Sequence, residues 1–400
     1  MDNEDLIPHY CHRLVMAIEE TRKHSLRPSV REAFLHVPRH LFVDAYYEGK
    51  EQVMAPLSQN EEHWYHWLAQ IYRDEPLVTQ RDERGMPTSS SSQPSVMAGM
   101  LEALNLHAGQ AVLEIGTGTG YNAALLAKLV EDPHLVTTVD IDPTLINVAR
   151  SHIEQAVGSG MTIRAWNGVD GYAPLAPYDG IIATGSFFPV PRAWIEQLRP
   201  GGRLVMDLHG QMGGGLIVII KQPDGQAVGH FLTEWRHISF MRLRSTLEEN
   251  VHLHLKGYQH FPLQEQVHIS PDDSAYCCAS HFATFEQFRG HENAFNTWLQ
   301  WIFPTLSITW KGLVSEMLSA VLTDHASQTV MRLEPQEDGL AVVVRGERQL
   351  WSEIFHAYQD WLECGRPELE AYTLCVDPQG QQGIQMDHQG NTRFFPLRTA

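Results

Sequence analysis

The sequence has few basic residues, few cysteines and no long apolar run. No stretch reaches the roughly 18 to 20 apolar residues that a membrane-spanning helix needs. Lys and Arg number 29 against 48 Asp and Glu, and this formal net charge of -19 argues against a broad nucleic-acid surface. The 5 cysteines form no C-x-x-C pair, so we expect reduced thiols. The acidic start, "MDNEDL", argues against a signal peptide and indicates a cytoplasmic protein.

Histidine is plentiful, with 22 residues, but its spacing does not predict a metal site. The densest group lies between residues 252 and 268, beginning in "VHLHL", and no carboxylate or cysteine accompanies it at fitting spacing. His63 and His66 are one helical turn apart among aromatic residues, which favours a packed or substrate-facing helix. We therefore expect no metal.

The order of elements predicts an α/β protein. From residue 111 onward, β runs alternate with helices, which indicates βαβ units around a mostly parallel sheet. The predicted helices cover 10–24, 29–37, 120–130, 143–157, 191–199 and 349–364. The texture changes near residue 245. We therefore predict a catalytic domain over 1–245, with an insertion at 48–80, and a C-terminal α+β substrate-recognition domain over 246–400.

The stretch "VLEIGTGTGYN" places Gly116, Gly118 and Gly120 between a β run and a helix. Glycine lets the backbone turn tightly, and a helix N-terminus offers free N–H groups to a ligand. Asp140 ends the next β run, where a carboxylate would accept ribose hydroxyls, and Asn167 ends the one after. The G-x-G-x-G spacing suits a nucleoside with an amino-acid tail. The alternative is a doubly wound fold without a cofactor.

A run of four serines, in "PTSSSSQPSVM", stands directly before Pro94. Because proline fits the first turn of a helix, Ser91 or Ser92 is predicted to be the N-cap of a helix that follows. Serine hydroxyls and backbone N–H groups can orient an anion without adding a competing nucleophile. The alternative is that the serine only caps the helix.

The segments "PTSSSSQPSVMAGMLEAL", "VLEIGTGTGY", "VDID" and "APYDGIIATGSFFPVPRAWIEQLRPGGRLVM" together resemble protein-L-isoaspartate (D-aspartate) O-methyltransferases, from about residue 27 to about residue 245. The resemblance implies a Rossmann-like class I methyltransferase. It would transfer a methyl group from S-adenosylmethionine to a peptide carboxylate and leave S-adenosylhomocysteine.

The resemblance also implies roles for single residues. Ser92 and Ser90 match the serine motif and are the predicted catalytic residues. The predicted cofactor contacts are Glu114, Gly116, Thr117, Gly118, Gly120, Tyr121, Asp140, Ile141, Asn167, Gly168 and Thr184. Asn167 stands where the family has an adenine-contacting Asp, with Asp170 as the alternative if the loop is shifted. Ser91 and Ser95 of the serine motif are predicted substrate contacts. Asp207 and His209 are further candidates for substrate contact on a separate ground, because they follow a β run that should end near the site.

The 48–80 insertion and the residues after 245 depart from the compact repair enzyme. The tetra-serine form and the tail "LWSEIFHAYQDWLECG" resemble methyltransferases that tailor ribosomally made peptides during lanthipeptide, lasso-peptide or ATP-grasp maturation. The expected partner is then a precursor peptide, already cyclised, whose methylated Asp becomes an aspartimide or isoaspartate. The alternatives are a repair enzyme for isoaspartate in damaged proteins and a non-catalytic, cofactor-binding interaction module.

Overall fold

The computed structural model describes residues 3–56, 61–235, 238–244, 257–283, 294–314 and 317–397. The helices in these ranges are α1 Asn3–Arg22, α2 Pro28–His36, α3 Glu61–Ile71, α4 Pro94–Leu104, α5 Tyr121–Val130, α6 Pro143–Val157, α7 Arg192–Glu196, α8 Tyr276–Ala283, α9 Ala294–Ile302 and α10 Leu350–Glu363. The strands are β1 Ala45–Glu48, β2 Glu51–Met54, β3 Leu77–Arg81, β4 Pro87–Ser91, β5 Val112–Ile115, β6 Val136–Asp140, β7 Thr162–Ala165, β8 Tyr178–Phe187, β9 Leu198–His209, β10 Gly214–Lys221, β11 Ala227–Phe231, β12 Leu263–Ile269, β13 Leu306–Val314, β14 Met317–Asp324, β15 Thr329–Gln336, β16 Gly339–Arg345, β17 Tyr372–Val376, β18 Gln382–His388 and β19 Asn391–Leu397.

A central sheet of 10 strands organises the fold, in the order β19-β18-β17-β11-β10-β9-β8-β5-β6-β7. The strands from β9 to β7 are parallel neighbours, as the alternation of strands and helices predicts. From β9 to β19 every neighbouring pair is antiparallel. The expected mostly parallel sheet is therefore correct for residues 112–209 and wrong for the other half. The α/β, Rossmann-like fold class is confirmed.

The sheet has two buried faces, and the alternation of strand residues assigns each side chain to one of them. On β5, Val112 belongs to the core formed with the N-terminal helices, whereas its neighbour Leu113 belongs to the opposite core. Val205 and Leu204 of β9 are divided in the same way. Helices α1 to α6 contribute to the first core, and α7 to α10 contribute to the second.

The C-terminal residues form a second sheet of 5 strands, in the order β12-β16-β15-β14-β13, together with α8 to α10. Their apolar side chains join those of the central sheet in one continuous core. The last strands leave this unit and lengthen the central sheet, because β17 pairs with β11 and places Cys375 opposite Val228. The predicted boundary at residue 245 thus separates elements that share a sheet and a core. A local pattern predicts a hairpin but not the sheet that it joins.

Two local predictions are corrected by long-range contacts. The helix predicted over 191–199 ends at Glu196, because Leu198 already begins β9. The serine run forms strand β4, paired with β3, and not an N-cap. Gln93 holds the N-cap position of α4 without a side-chain bond, and the Asp74 carboxylate accepts the Ser95 N–H at 2.8 Å in its place.

Within the residues described, no helix combines the length and apolar composition that a bilayer crossing needs. In the same residues, His, Cys, Asp and Glu side chains do not gather in groups of three that could hold a metal ion. His252 and His254 lie outside the described residues.

Removal of residues 246–400 should prevent the remainder from folding as a stable unit. It would leave β11 as an open sheet edge and expose the apolar face that includes Leu204 and Leu113. We expect an insoluble chain, or one without a cooperative thermal transition by calorimetry. Deletion of β17–β19 alone would test the open edge at β11 separately from the exposed apolar face of the sheet. A soluble 1–245 chain that melts cooperatively would contradict the shared core.

Candidate functional site

A cleft opens at the carboxyl ends of β5, β6 and β8, with about 910 Å³ of space between the atoms, part of it open to solvent. This is the edge at which doubly wound sheets bind their ligands. The predicted residues that line it are Ser90, Ser91, Ser92, Glu114, Gly116, Thr117, Gly118, Tyr121, Asp140, Ile141, Gly168 and Thr184. Sequence positions more than 90 residues apart are therefore brought together as the motifs predict.

The loop between β5 and α5 requires its glycines. Gly116, Gly118 and Gly120 have φ values of 95°, 51° and 88°, a left-handed conformation that side chains rarely adopt. A Cβ on Gly116 would lie 2.8 Å from the Thr184 hydroxyl oxygen, and one on Gly120 would lie 3.0 Å from Ile153. The loop is thus held where only bare backbone fits, and this leaves room for a ligand.

Asp140 ends β6 beside this loop. One of its carboxylate oxygens accepts the Gly118 N–H at 3.0 Å, and the other accepts the Asp142 N–H at 3.1 Å. Burial raises the pKa of Asp140, while the two backbone N–H groups and the positive charge of Arg244 act against this rise. Each carboxylate oxygen keeps a free lone pair, so Asp140 can still accept bonds from a pair of ribose hydroxyls.

Glu114 lies below the loop and is completely buried. Its oxygens accept hydrogen bonds from the Asn122 amide at 2.7 Å and the Thr138 hydroxyl at 2.5 Å. Since Thr138 donates its single hydrogen to Glu114, the Thr117 hydroxyl, 2.7 Å away, donates to Thr138. Burial raises the pKa of Glu114 to about 7, although both hydrogen bonds oppose the shift. A ligand that bound Glu114 would therefore have to share carboxylate oxygens that already accept hydrogen bonds from Asn122 and Thr138.

The family model described as protein-L-isoaspartate(D-aspartate) O-methyltransferase matches residues 12–245. The chain belongs to this family. The protein-L-isoaspartate O-methyltransferase of Thermotoga maritima is 30% identical over 248 residues, which cover 62% of this chain and 70% of that protein. The protein of the same name from Thermococcus onnurineus is 36% identical over 198 residues, 49% of this chain and 77% of that protein.

A solved structure of a protein-L-isoaspartate O-methyltransferase has the same fold, with a TM-score of 0.52 and 21% identity. The match covers 94% of this chain and 99% of that one, so it includes the C-terminal unit. This member of the family is an S-adenosylmethionine-dependent protein carboxyl O-methyltransferase. The cofactor supplies an electrophilic methyl group. The glycine loop leaves space for the cofactor beside its backbone, and Asp140 has free lone pairs that could accept hydrogen bonds from its ribose.

The serines of β4 line the methyltransferase cleft, and one buried cation fixes this strand. The Arg39 guanidinium donates to the carbonyls of Ser91 and Ser92 at 3.3 and 3.1 Å, and to the Ser91 hydroxyl at 3.3 Å. It also donates to the carbonyls of Ile71, Arg73 and Glu75 at 2.8 to 3.0 Å. Burial lowers the pKa of Arg39 to about 10, which leaves it charged at neutral pH.

The four serines differ in how their hydroxyls are used. Ser89 and Ser91 are buried, and their hydroxyls accept hydrogen bonds from Thr79 at 3.4 Å and Arg39 at 3.3 Å. Ser90 and Ser92 are half-buried, and no residue in the described ranges bonds to their hydroxyls. The predicted catalytic pair is thus the one with hydroxyls available to a substrate.

Several predicted contacts lie outside the lining of the cleft. Gly120 shapes the loop from behind, and the Asn167 side chain accepts the Val169 N–H at 3.1 Å, whereas Gly168 and Val169 line the cleft. Asp170, the alternative to Asn167, is exposed and is not part of the lining either.

The predicted substrate contacts Ser95, Asp207 and His209 are not part of the lining. Ser95 is fully buried at the start of α4. Asp207 is also fully buried and accepts the Phe240 N–H at 2.8 Å; burial raises its pKa to about 7. The His209 Nδ1 is 3.7 Å from Asp207, too far for a hydrogen bond, and burial lowers the pKa of this histidine to about 4.

Sequence reasoning missed other lining residues, both within the motif region and at its ends. They are Thr88, Ser89, Met97, Ile115, Thr119, Asn122, Val139, Leu145, Val169, Gly185, Met241, Arg242, Leu243 and Arg244. Arg39 was missed as well, because nothing local marks it as a partner of the serines. The pair of arginines in "MRLRS" was a usable signal, since basic residues are scarce in this acidic chain.

Ser92→Ala should reduce methyl transfer by about tenfold or more, because the acceptor loses a group that orients it, and Ser90→Ala should act in the same direction. Binding of S-adenosylhomocysteine, measured by calorimetry, should change less than about twofold. Ser91→Ala removes the hydroxyl that accepts a hydrogen bond from Arg39. It should mainly lower the free energy of unfolding, by about 1 kcal/mol. Unchanged turnover in the Ser90 and Ser92 variants would remove these serines from the site.

Glu114→Gln should flatten the pH dependence of stability. The folded pKa of about 7 exceeds the ordinary value of 4.5, so the folded state retains a proton that the unfolded state releases between these values. The free energy of unfolding should therefore fall as pH rises from about 4.5 to about 7, by at most about 3 kcal/mol from this group. Gln can donate to Thr138 and accept from Asn122. Parallel pH profiles of denaturant unfolding for both proteins would contradict this assignment.

Proposed function

We propose that this methyltransferase esterifies the side-chain carboxylate of an aspartate in a ribosomally synthesised precursor peptide that has already been cyclised. A carboxylate with an ordinary pKa of about 4 is ionised at neutral pH, so the transfer needs no general base. The contribution of the chain is then to position the acceptor. The half-buried hydroxyls of Ser90 and Ser92 are suited to this task.

The ester prepares the peptide for a second step. The backbone amide nitrogen that follows the aspartate attacks the ester carbonyl, a C–N bond forms and the C–OCH₃ bond breaks. The amide proton leaves with the methoxide as methanol, and a five-membered imide remains. Hydrolysis of the imide gives isoaspartate or aspartate.

The position of the residues that lengthen the chain before the serine motif carries the proposal. Strand β3 pairs directly with β4, and places Leu77 opposite Ser91 and Val78 opposite Ser90. Through Arg39, the loop that follows α3 is also bound to the serine strand. The inserted segment therefore lies directly beside the serine strand β4, where it can contact the peptide residues that flank the modified aspartate.

The C-terminal unit supports recognition of peptide context from another side. Gln300 of α9 accepts the Met212 N–H at 2.8 Å and donates to the Pro304 carbonyl at 3.1 Å. Gly213 packs so closely on Thr297 that a Cβ would lie 2.8 Å from its backbone. The turn between β9 and β10, at the same sheet edge as the cleft, is thus fixed by the C-terminal unit.

The relatives support a second candidate, methylation of isoaspartyl residues in damaged proteins. Proteins named protein-L-isoaspartate O-methyltransferase share 30% to 36% identity with this chain. In that reaction the acceptor is the free α-carboxylate of the isoaspartyl residue, and the same wall of hydroxyls would orient it. A repair enzyme should tolerate many flanking sequences.

Purified enzyme with S-adenosylmethionine should distinguish the candidates. We expect a cyclised precursor peptide containing Asp to gain one CH₂ by mass spectrometry, or to lose one water once the imide forms. Asp140→Ala, which lacks the ribose acceptor, is the control for cofactor-dependent turnover. Equal methylation of unrelated isoaspartyl peptides, with none of the precursor, would establish the repair candidate. Absence of methylation on both peptides would contradict both candidates.

A further inference from the structure

Residues 241–244 form one side of the cleft in an extended segment that two strand ends hold in place. The Ser186 N–H donates to the Met241 carbonyl, and the Leu243 N–H donates to the Ser186 carbonyl, both at 2.9 Å. One residue earlier, the Phe240 N–H donates to the buried Asp207 carboxylate at 2.8 Å. The segment is thus attached to the ends of β8 and β9.

Residues 241–244 line the cleft beside the glycine loop. Leu243 lies so close to Gly185 that a Cβ there would be 2.7 Å from its side chain, and it also approaches Gly116. Arg242 and Arg244 are half-buried and line the cleft together with the serines. The positive charge of Arg244 also acts on Asp140, because it lowers the pKa of that carboxyl group.

These arginines give the cleft a charge opposite to that of the chain. The formal net charge is -19, which repels an acidic peptide at long range. Among the described lining residues, the acids are Glu114, which is fully buried, and Asp140, whose oxygens accept backbone N–H groups. Guanidinium groups match carboxylates in shape and can bind them through two parallel hydrogen bonds.

We propose that Arg242 and Arg244 hold the acceptor carboxylate of the peptide and select for an acidic acceptor segment. Asp207 is a positioning residue for them, because it fixes the segment through Phe240. The inference rests on the proposed function only in requiring a peptide carboxylate as the acceptor, and it applies to either peptide class.

The reaction determines which kinetic constant should change. The acceptor carboxylate loses its negative charge as the C–O bond to the methyl group forms. A guanidinium therefore stabilises the bound reactant at least as well as the transition state, and its removal weakens substrate binding more than the chemical step. The arginines should act mainly on KM.

The test uses Arg242→Gln, Arg244→Gln and the double variant of the full chain. The matched control is Arg192→Gln with Arg332→Gln, which removes the same charge from partly exposed positions outside the cleft lining. The acceptor probe is whichever the wild-type enzyme methylates, a synthetic isoaspartyl peptide or the Asp-containing cyclised precursor. The peptide that the wild-type enzyme methylates then tests the proposed function. The ratio of KM between variant and wild type tests this inference separately.

For the double variant we expect KM for the peptide to rise about tenfold or more, with kcat changed less than about threefold. The dependence of kcat/KM on salt should weaken. The affinity for S-adenosylhomocysteine, measured by calorimetry, should stay within about twofold. A KM equal to that of the control overturns the proposal. An equal loss of affinity for S-adenosylhomocysteine also overturns it, because the arginines would then serve the carboxylate of the cofactor's amino-acid tail.

The positioning role of Asp207 has its own comparison. Asp207→Asn keeps an oxygen that can accept the Phe240 N–H, whereas Asp207→Ala does not. We expect Asp207→Ala to raise KM for the peptide in the same direction as the arginine variants, and Asp207→Asn to restore it. If both variants lose stability but keep the wild-type KM, Asp207 does not position the arginines.

Discussion

The buried guanidinium of Arg39 is the interaction on which the serine side of the cleft depends. It has no exposed surface, yet five backbone carbonyls and one hydroxyl from residues 71–75 and 91–92 surround it. An unpaired charge at this depth would be very costly, so the carbonyls and the cation each require the other. Because these carbonyls belong to two segments, Arg39 sets where the serine strand lies relative to the insertion. Arg39 holds the carbonyls of Ser91 and Ser92, and the pairing of β3 with β4 places Ser90.

The central sheet connects the cleft to the rest of the molecule. Its N-terminal helices cover one face, and the C-terminal unit covers the other and lengthens the sheet with β17–β19. A C-terminal unit that shares the core of the central sheet cannot move freely as a separate body. The turn at residues 210–213 is fixed by Gln300 and Thr297, so the cleft and the C-terminal unit keep a defined geometry. Peptide context would be recognised by surfaces held rigidly against the cleft.

The parts of the site that the sequence predicted are those that local patterns encode. The glycine loop, Asp140 and the helix over residues 143–157 follow from spacing within one βαβ unit, and the structure has that helix with the same bounds. Arg39 and Ser91 are 52 residues apart, and Asp207 and Phe240 are 33 apart. No periodicity records such pairs. For the same reason the cap supplied by Asp74 was predicted wrongly as a serine cap. The adenine contact assigned to Asn167 stays a prediction.

The distribution of charge in the cleft fits a reaction that removes charge. Transfer of a methyl group from a sulfonium to a carboxylate cancels one positive and one negative charge, so surroundings of low polarity favour the transition state over the reactants. Met97, Met241 and Leu243 supply apolar lining beside the loop. Burial raises the pKa of Glu114 and so favours its neutral form, while Asp140 accepts two backbone N–H groups. Arginines close to the carboxylate would help to bring it in but would not assist its neutralisation. Such a cleft therefore needs cationic groups for binding and an apolar lining for the transfer, and residues 241–244 supply both in one short segment.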